Sequence, residues 1–146
     1  MPMSEHVVTI SVPFVRGKGR VRFVRQTGRT YTPDKTAQAM YEIRDAWVKE
    51  AKGQSAPKGV PVRVSICTVR PMPKSRPKRV VSEPDVYKPD VDNIEKAILD
   101  ALNGVAWVDD TQVTNLSIIK LDRDRECEHE CTMVTVSWEE EGGTDA

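Results

Sequence analysis

Period-two alternation of apolar and polar positions marks the strands of this chain. It predicts strands over residues 6–12, 60–69, 113–121 and 132–138. The run over 60–69 is the strongest, because its even-numbered positions from Val62 to Thr68 share one face. We therefore expect this strand near the middle of a sheet. A basic hairpin is also predicted over residues 20–32, with its turn through Gly28.

Two segments instead repeat their apolar positions at helical spacing. The first covers residues 34–52, and the second has one apolar face made of Ile94, Ala97, Ile98, Ala101 and Leu102. The second helix is predicted to have an N-cap at Asp92, a capping box completed by Glu95, and a stop at Gly104. Together these elements predict one α+β domain over residues 1–146, with a largely antiparallel or mixed sheet of about five or six strands and two main helices.

Two segments are predicted to lack regular structure. Residues 70–89 contain five prolines among many basic residues, so we expect a mobile basic loop. Residues 139–146 are acidic and include two glycines, and we expect this tail to fray.

Composition is that of an ordinary globular domain. The chain has 146 residues, of which 38% are hydrophobic and 30% charged. It contains no apolar run of the roughly 18 residues that a membrane span needs, and its first residues do not resemble a secretory signal. We expect a cytoplasmic protein with no membrane partner.

The net charge of zero conceals a division between the two parts of the chain. Residues 1–89 contain 18 Lys and Arg against 7 Asp and Glu, hence +11, whereas residues 90–146 contain 4 against 15, hence −11. Basic flanks can hold phosphates while an acidic centre holds metal, which suits a nuclease. Plain intramolecular pairing would give the same totals.

The basic residues that we expect to contact DNA phosphates lie in the predicted hairpin, just before it, and in the 70–89 loop. They are Arg16, Lys18, Arg20, Arg22, Lys74, Arg76, Lys78 and Arg79. A solvated basic hairpin and a solvated linker are the alternative interpretations of these two segments.

Two acidic pairs flank the second predicted helix. Asp90 and Asp92 precede it, and Asp109 with Asp110 follow it, while Lys96 lies one helical turn after Asp92. Such carboxylates can converge on a hard cation such as Mg²⁺, and the lysine can contact a phosphate. The alternative is that Asp92 is only a helix cap, Lys96 its ion-pair partner, and the second pair an ordinary turn.

The cysteines offer a second possible metal site. Cys127, His129 and Cys131 alternate, and Cys67 would complete four zinc ligands, but the spacing is not that of a usual zinc finger. Buried or free thiols in a reducing compartment are the alternative.

The run PDVDNIEKAILDALNG over residues 89–104, followed by WVDDTQV over 107–113, resembles the RusA family of Holliday-junction resolvases. These crossover junction endodeoxyribonucleases are small Mg²⁺-dependent enzymes known mainly from bacteria and their prophages. The resemblance extends to GKGRVRF at 17–23 and GRTYTP at 28–33.

The resemblance implies a catalytic site made of Asp90, Asp92, Lys96 and Asp110, in which the three aspartates bind one or two Mg²⁺ ions. Mn²⁺ is a possible substitute. It further implies a homodimer that binds branched DNA and resolves four-way junctions by paired symmetric nicks in recombination and repair. The alternative function is a noncatalytic DNA-binding prophage protein with a structural metal site, and a third is a purely structural domain whose acidic loops are caps.

Overall fold

The computed structural model describes residues 2–19, 22–24, 29–31 and 34–141, and side chains are not described within residues 20–34. The elements in chain order are β1 (Met3–Val12), β2 (Arg22–Val24), β3 (Arg29–Tyr31), α1 (Asp34–Ala51), β4 (Val62–Val69), β5 (Ser82–Glu83), α2 (Val91–Leu102), a 3-10 helix (Asp110–Gln112), β6 (Val113–Lys120), β7 (Arg123–Asp124) and β8 (Cys131–Glu141). The predicted hairpin is confirmed as the β2–β3 pair. Its turn through Gly28 lies outside the described residues, as do the side chains of Arg20 and Arg22.

Four strands form one mixed sheet in the order β1-β8-β4-β6. β8 is antiparallel to both β1 and β4, whereas β4 and β6 are parallel. The parallel pair follows from the connection, since α2 lies between β4 and β6 and carries the chain back along the sheet. β4 has a partner on each side, which confirms its predicted position.

The core lies on one face of this sheet. Alternate residues of β1, β4 and β8 are buried there: Val8, Ile10, Val12, Val62, Val64, Ile66, Val134, Val136 and Trp138. The predicted apolar face of α2 is buried against them, and α1 covers the β1 side. Arg44 of α1 donates from Nε to the Ala101 carbonyl (2.8 Å), which satisfies one of the last carbonyls of α2.

These features confirm the α+β prediction, with two main helices and a mixed sheet. The prediction of a frayed tail from residue 139 is wrong for its first three residues. β8 continues to Glu141, because residues 139–141 pair with Met3, Ser4 and Glu5 at the start of β1. Residues 142–146 lie outside the described residues.

Residues 70–89 contain more regular structure than their proline content predicts. Ser82–Glu83 pairs antiparallel with Arg123–Asp124, forming a two-stranded sheet. Glu83 is shared by two guanidinium groups, since it accepts from Arg76 Nε (3.0 Å) and pairs with Arg123 Nη2 (3.1 Å). Both arginines also lie over the ring of Tyr87.

A buried ion pair ties the start of this segment to its end. The side chain of Asp85 is 0% exposed and accepts from Arg70 Nε (2.8 Å) and Nη2. Lys120 Nζ lies 3.9 Å from the same carboxylate. The segment predicted as a mobile loop is thus held by ion pairs within itself and by bonds to Lys120 and Arg123, which follow it in sequence.

None of the helices within the described ranges is long and apolar enough to cross a membrane.

We predict that Asp85→Asn destabilises the fold by about 3 kcal/mol at neutral pH, because it leaves two partly buried cations, Arg70 and Lys120, without their carboxylate. Burial alone would raise the pKa of Asp85, but the hydrogen bond and charge of Arg70 and the charge of Lys120 outweigh it and lower that pKa. The contribution is therefore present above the ordinary pKa of about 3.9 and is lost as pH falls through the lower folded value.

Urea unfolding measured from pH 7 down to a pH below both pKa values of Asp85 gives this difference. Asp45→Asn is the matched control, because Asp45 pairs with the exposed Lys49 and should contribute less than about 1 kcal/mol. Equal losses for both variants, or a difference that persists below both pKa values of Asp85, would contradict the assignment.

Candidate functional site

The start of α2 holds the first acidic pair. Asp90 is the N-cap, with an extended backbone (φ −77°, ψ 166°), and its Oδ1 accepts from the Asn93 amide (2.9 Å). The predicted N-cap at Asp92, with its capping box at Glu95, is therefore wrong by two residues. The helix starts earlier because the Asp90 carboxylate reaches the third helical amide and leaves Asp92 inside the first turn.

Asp92 and Lys96 form the predicted pair across one helical turn. Asp92 Oδ2 lies 3.0 Å from Lys96 Nζ, and both side chains are largely exposed, at 66% and 57%. The hydrogen bond and charge of Asp92 raise the pKa of Lys96, with further contributions from the charges of Asp90 and Glu95. Lys96 is thus a protonated, solvent-facing cation beside two exposed carboxylates.

The chain after β1 passes close to this helix start. A Cβ atom on Gly17 would come within 2.9 Å of Asn93 Cβ and 3.0 Å of Pro89 Cβ, so only glycine fits there without movement. The Lys18 amide donates to the Asn93 carbonyl (3.1 Å). Arg16 is exposed next to this contact. Two of the predicted DNA-binding residues, Arg16 and Lys18, thus lie beside the first acidic pair, although the Lys18 ammonium pairs with Asp100.

The second acidic pair has a different local structure. Asp109 is the N-cap of the 3-10 helix, and its Oδ1 accepts from the Thr111 amide (3.2 Å). Asp110 Oδ1 accepts from the indole Nε1 of Trp107 (2.8 Å), whose ring is buried. A buried indole needs a hydrogen-bond acceptor, so this bond fixes the direction of the Asp110 side chain.

Gln112 holds this turn in place. Its Oε1 accepts from the amides of Val108 (2.9 Å) and Asp109 (3.0 Å), which completes a capping box. Its Nε2 donates to the carbonyls of Pro57 (2.7 Å) and Val60 (3.0 Å). The buried Gln112 amide therefore uses two donors and two acceptor positions, and it joins the Asp110 turn to the segment before β4.

The two acidic pairs lie at opposite ends of α2. Asp90 caps its start, and a helix of 12 residues is about 18 Å long. Beyond its end the chain folds back on the last turn, where the Gly104 amide donates to the Trp107 carbonyl (2.8 Å). Asp110 is bonded to that same tryptophan.

The length of strand β6 also shows that the two acidic pairs are far apart. Asp110 lies just before Val113, where β6 begins. At the other end of β6, Lys120 Nζ donates to the carbonyl of Pro89 (2.9 Å), the neighbour of Asp90. An eight-residue strand spans roughly 23 Å, so the two aspartates are on the order of 20 Å apart.

One ion cannot bridge these aspartates within one chain, because Mg²⁺–oxygen distances are about 2.1 Å. Accordingly, the described part of the chain contains no group of three or more His, Cys, Asp and Glu side chains placed to hold a metal ion. Within a single chain, Asp90 and Asp92 therefore lie at one place and Asp110 at another, so the three expected ligands do not meet.

The four predicted zinc ligands are not brought together either. Cys67, Cys127 and Cys131 are free, and the structure does not gather them with His129 into a cluster. Cys131 Sγ instead lies 3.1 Å from Ser11 Oγ, and Cys127 Sγ donates to the His129 carbonyl (3.2 Å).

The predicted DNA-binding residues of the 70–89 segment fall into two groups. Lys74, Lys78 and Arg79 are exposed. Arg76 is bonded to Glu83 and donates from Nη2 to the Tyr87 hydroxyl (2.8 Å), so the structure places it inside the segment's own contacts.

Sequence reasoning missed the residues that bond the Asp110 carboxylate or the backbone beside the acidic pairs, chiefly Trp107, Gln112 and Lys120. For Gln112 a local signal existed, since Asp109 and Gln112 have the spacing of a capping box. For Lys120 there was none, because its carbonyl partners lie far from it in sequence.

Exposed carboxylates beside a protonated lysine and a basic segment define a class of site that can bind a hard cation and a phosphodiester. A family model described as "Endodeoxyribonuclease RusA" matches residues 13–131 of this chain. The chain belongs to this RusA endodeoxyribonuclease family. Asp90, Asp92, Lys96 and Asp110 all lie within the matched residues.

The chain is also similar to a bacterial protein, "Uncharacterized protein YqaN" of Bacillus subtilis (strain 168). The two are 31% identical over 114 residues, which covers 70% of this chain and 78% of that protein.

We predict that Gln112→Leu destabilises the protein by about 3 kcal/mol, because it leaves several backbone amides and carbonyls without their partner. Chemical unfolding followed by tryptophan fluorescence measures the loss. Gln38→Leu is the matched control, since Gln38 is exposed and donates to Glu42 one turn away on α1. Its effect should stay within about 0.5 kcal/mol. Similar losses for both variants would show that the Gln112 bonds do not hold the turn.

Proposed function

We propose that this protein is a Mg²⁺-dependent endodeoxyribonuclease that resolves four-way DNA junctions by paired symmetric nicks, in recombination and repair. The observation that carries the proposal is the arrangement at the start of α2. There Asp90 and Asp92 present exposed carboxylates beside the protonated Lys96, within the residues that match the nuclease family. A helix N-terminus favours carboxylates, so the fold tolerates this concentration of negative charge.

A homodimer would complete the ligand set. β6 is an edge strand of the four-stranded sheet, and α2 packs beside it. A two-fold axis that sets the β6 edges of two chains antiparallel would bring the start of one β6 to the end of the other. Asp110 of each chain would then lie beside Asp90 and Asp92 of the other chain. Three exposed apolar side chains lie near the end of β6 and the start of α2, and they favour such a contact: Val91, Ile119 and Leu121.

Two such sites related by a two-fold axis suit a junction whose strands of like polarity are related in the same way. Each site would contain three carboxylates, which is a donor set suited to Mg²⁺. Asp90 uses one oxygen for the helix cap, which leaves lone pairs on its carboxylate for a cation. The Trp107 bond would hold Asp110 in a fixed direction before the ion binds.

The chain's own residues have separate tasks in this reaction. A bound Mg²⁺ would polarise the phosphodiester and lower the pKa of the attacking water. Lys96, kept protonated and oriented by Asp92, would place a positive charge against the scissile phosphate. Arg16, Lys74, Lys78 and Arg79, together with Lys18 once it is released from Asp100, would hold the flanking phosphates, which would give affinity for DNA without sequence readout.

The first test uses a labelled synthetic four-way junction with Mg²⁺ or with EDTA. We expect Mg²⁺-dependent cuts at symmetric positions in two strands of like polarity, leaving ends that ligase seals. Asp110→Asn should abolish cutting while the protein still binds the junction. Cutting that persists in EDTA, or equal cutting of linear duplex, would refute the resolvase proposal. Junction binding without any cleavage would favour the noncatalytic DNA-binding alternative.

The second test asks whether each site is shared between chains. Asp92→Asn and Asp110→Asn should each be inactive as homodimers. A heterodimer of the two, purified through two different affinity tags, should recover cutting at one of its two sites. One site then combines the intact Asp92 of one chain with the intact Asp110 of the other, and the product is a single nick.

A heterodimer of Asp92→Asn with Asp90→Asn is the matched control for this test. Each of its sites contains one lesion, so it should stay inactive. If the Asp92/Asp110 heterodimer is equally inactive although it forms and binds the junction, the shared-site arrangement is wrong.

A further inference from the structure

Lys120 forms hydrogen bonds to the backbone immediately before the first acidic pair. Its Nζ donates to the carbonyls of Tyr87 (2.5 Å) and Pro89 (2.9 Å), and Pro89 is followed directly by the N-cap Asp90. Pro89 has no backbone N–H, so its carbonyl is the only main-chain group there that can be anchored. Lys120 is at the end of β6 and therefore belongs to the rigid sheet rather than to the loop.

The Lys120 ammonium is itself held in position. Its side chain is only 11% exposed and lies 3.9 Å from Oδ1 of Asp85, whose side chain is fully buried. Asp85 in turn accepts two hydrogen bonds from Arg70, just beyond the end of β4. The ends of two neighbouring parallel strands thus support one connected set of charges, Arg70, Asp85 and Lys120, which ends on the Pro89 carbonyl.

We infer that Lys120, supported by Asp85 and Arg70, is a positioning residue that sets the place of Asp90 and Asp92 for metal binding. The inference rests on the proposed function for the identity of the ion. Its physical basis is that the first backbone amides of a helix have no intrahelical hydrogen-bond partner. The backbone at the helix start therefore needs restraint from other contacts. Two hydrogen bonds from a strand end supply that restraint, in the way that outer partners of metal ligands usually fix them.

The arrangement also links the two halves of the proposed shared site. β6 has Asp110 just before its start and Lys120 at its end. The start of β6 thus sets the position of Asp110. The end of β6 sets the position of Asp90 through Lys120.

The experiment compares Lys120→Met with Arg125→Met in the full-length protein. Arg125 is the matched control because it makes the same kind of bond to the same segment at a different place. It donates to the carbonyls of Val80 (2.7 Å), Arg76 (2.8 Å) and Pro77 (2.6 Å), away from Asp90. Lys120→Arg tests rescue, since a guanidinium can also donate to two carbonyls.

Two readouts are needed. The first is hydrogen exchange of the Asn93 amide without metal, because this amide donates to the Asp90 carboxylate. The second is Mn²⁺ affinity, measured by the electron paramagnetic resonance signal of the free ion. Lys120→Met should accelerate Asn93 exchange and weaken Mn²⁺ binding about tenfold. Arg125→Met should change neither, and Lys120→Arg should recover part of both.

The Mg²⁺ dependence of junction cutting gives a third comparison. Lys120→Met should require more Mg²⁺ for half-maximal rate but approach the wild-type rate at saturation, because a positioning residue does not touch the reacting atoms. If Lys120→Met fails to fold, Lys120→Gln, which retains a neutral donor, should show the same changes to a smaller degree.

The inference is overturned if Lys120→Met lowers thermal stability while Asn93 exchange and Mn²⁺ affinity stay at wild-type values. It is also overturned if Arg125→Met produces the same changes. A protein that binds Mn²⁺ but cuts no junction would refute the proposed function alone, because the Lys120 effect on affinity would still decide the inference. If wild-type protein binds no Mn²⁺, the Asn93 exchange comparison decides it.

Discussion

The parallel pairing of β4 with β6 is the constraint on which the rest of the site depends. Parallel neighbours require a crossover connection, and here α2 is part of that crossover. Its buried face must lie along the sheet, so the helix starts beside the end of β6 and finishes beside its start. The two acidic pairs flank the helix in sequence and are therefore held at opposite ends of it in space. A chain with this topology therefore holds its two acidic pairs apart, at opposite ends of α2.

The division of charge along the chain is resolved in two ways. Part of the basic surplus is neutralised internally, as in the pairs Arg70–Asp85, Arg76–Glu83 and Lys18–Asp100. The exposed remainder includes Lys74, Lys78 and Arg79 in the 70–89 segment, which leads directly into Asp90. The charge totals could mean either intramolecular pairing or an exposed basic surface, and the 70–89 segment contains both. Pairing holds the segment in place, and Lys74, Lys78 and Arg79 remain exposed on its surface.

Each carboxylate of the site also has a structural partner. Asp90 caps α2, Asp92 holds Lys96, and Asp110 satisfies a buried indole. These bonds restrict the side chains before any ligand arrives, which reduces the ordering that binding requires. They also explain why a merely structural interpretation of these residues was reasonable from the sequence. A cap and a metal ligand need the same residue type at the same kind of position.

The two main helices and the longer strands could be predicted from the sequence alone, whereas the short strands β5 and β7 could not. The apolar face of α2, the alternation of β4 and the acidic motifs were all visible, because side-chain periodicity is a local property. Tertiary structure alone decided that β4 and β6 are parallel, that β8 continues to Glu141, and that α2 begins at Val91 rather than after Asp92. It also decided that residues 70–89 are held by Lys120 and Arg125. The physical reason is that a backbone carbonyl accepts a hydrogen bond from whichever donor the fold brings to it, and no local spacing encodes a donor that is remote in sequence.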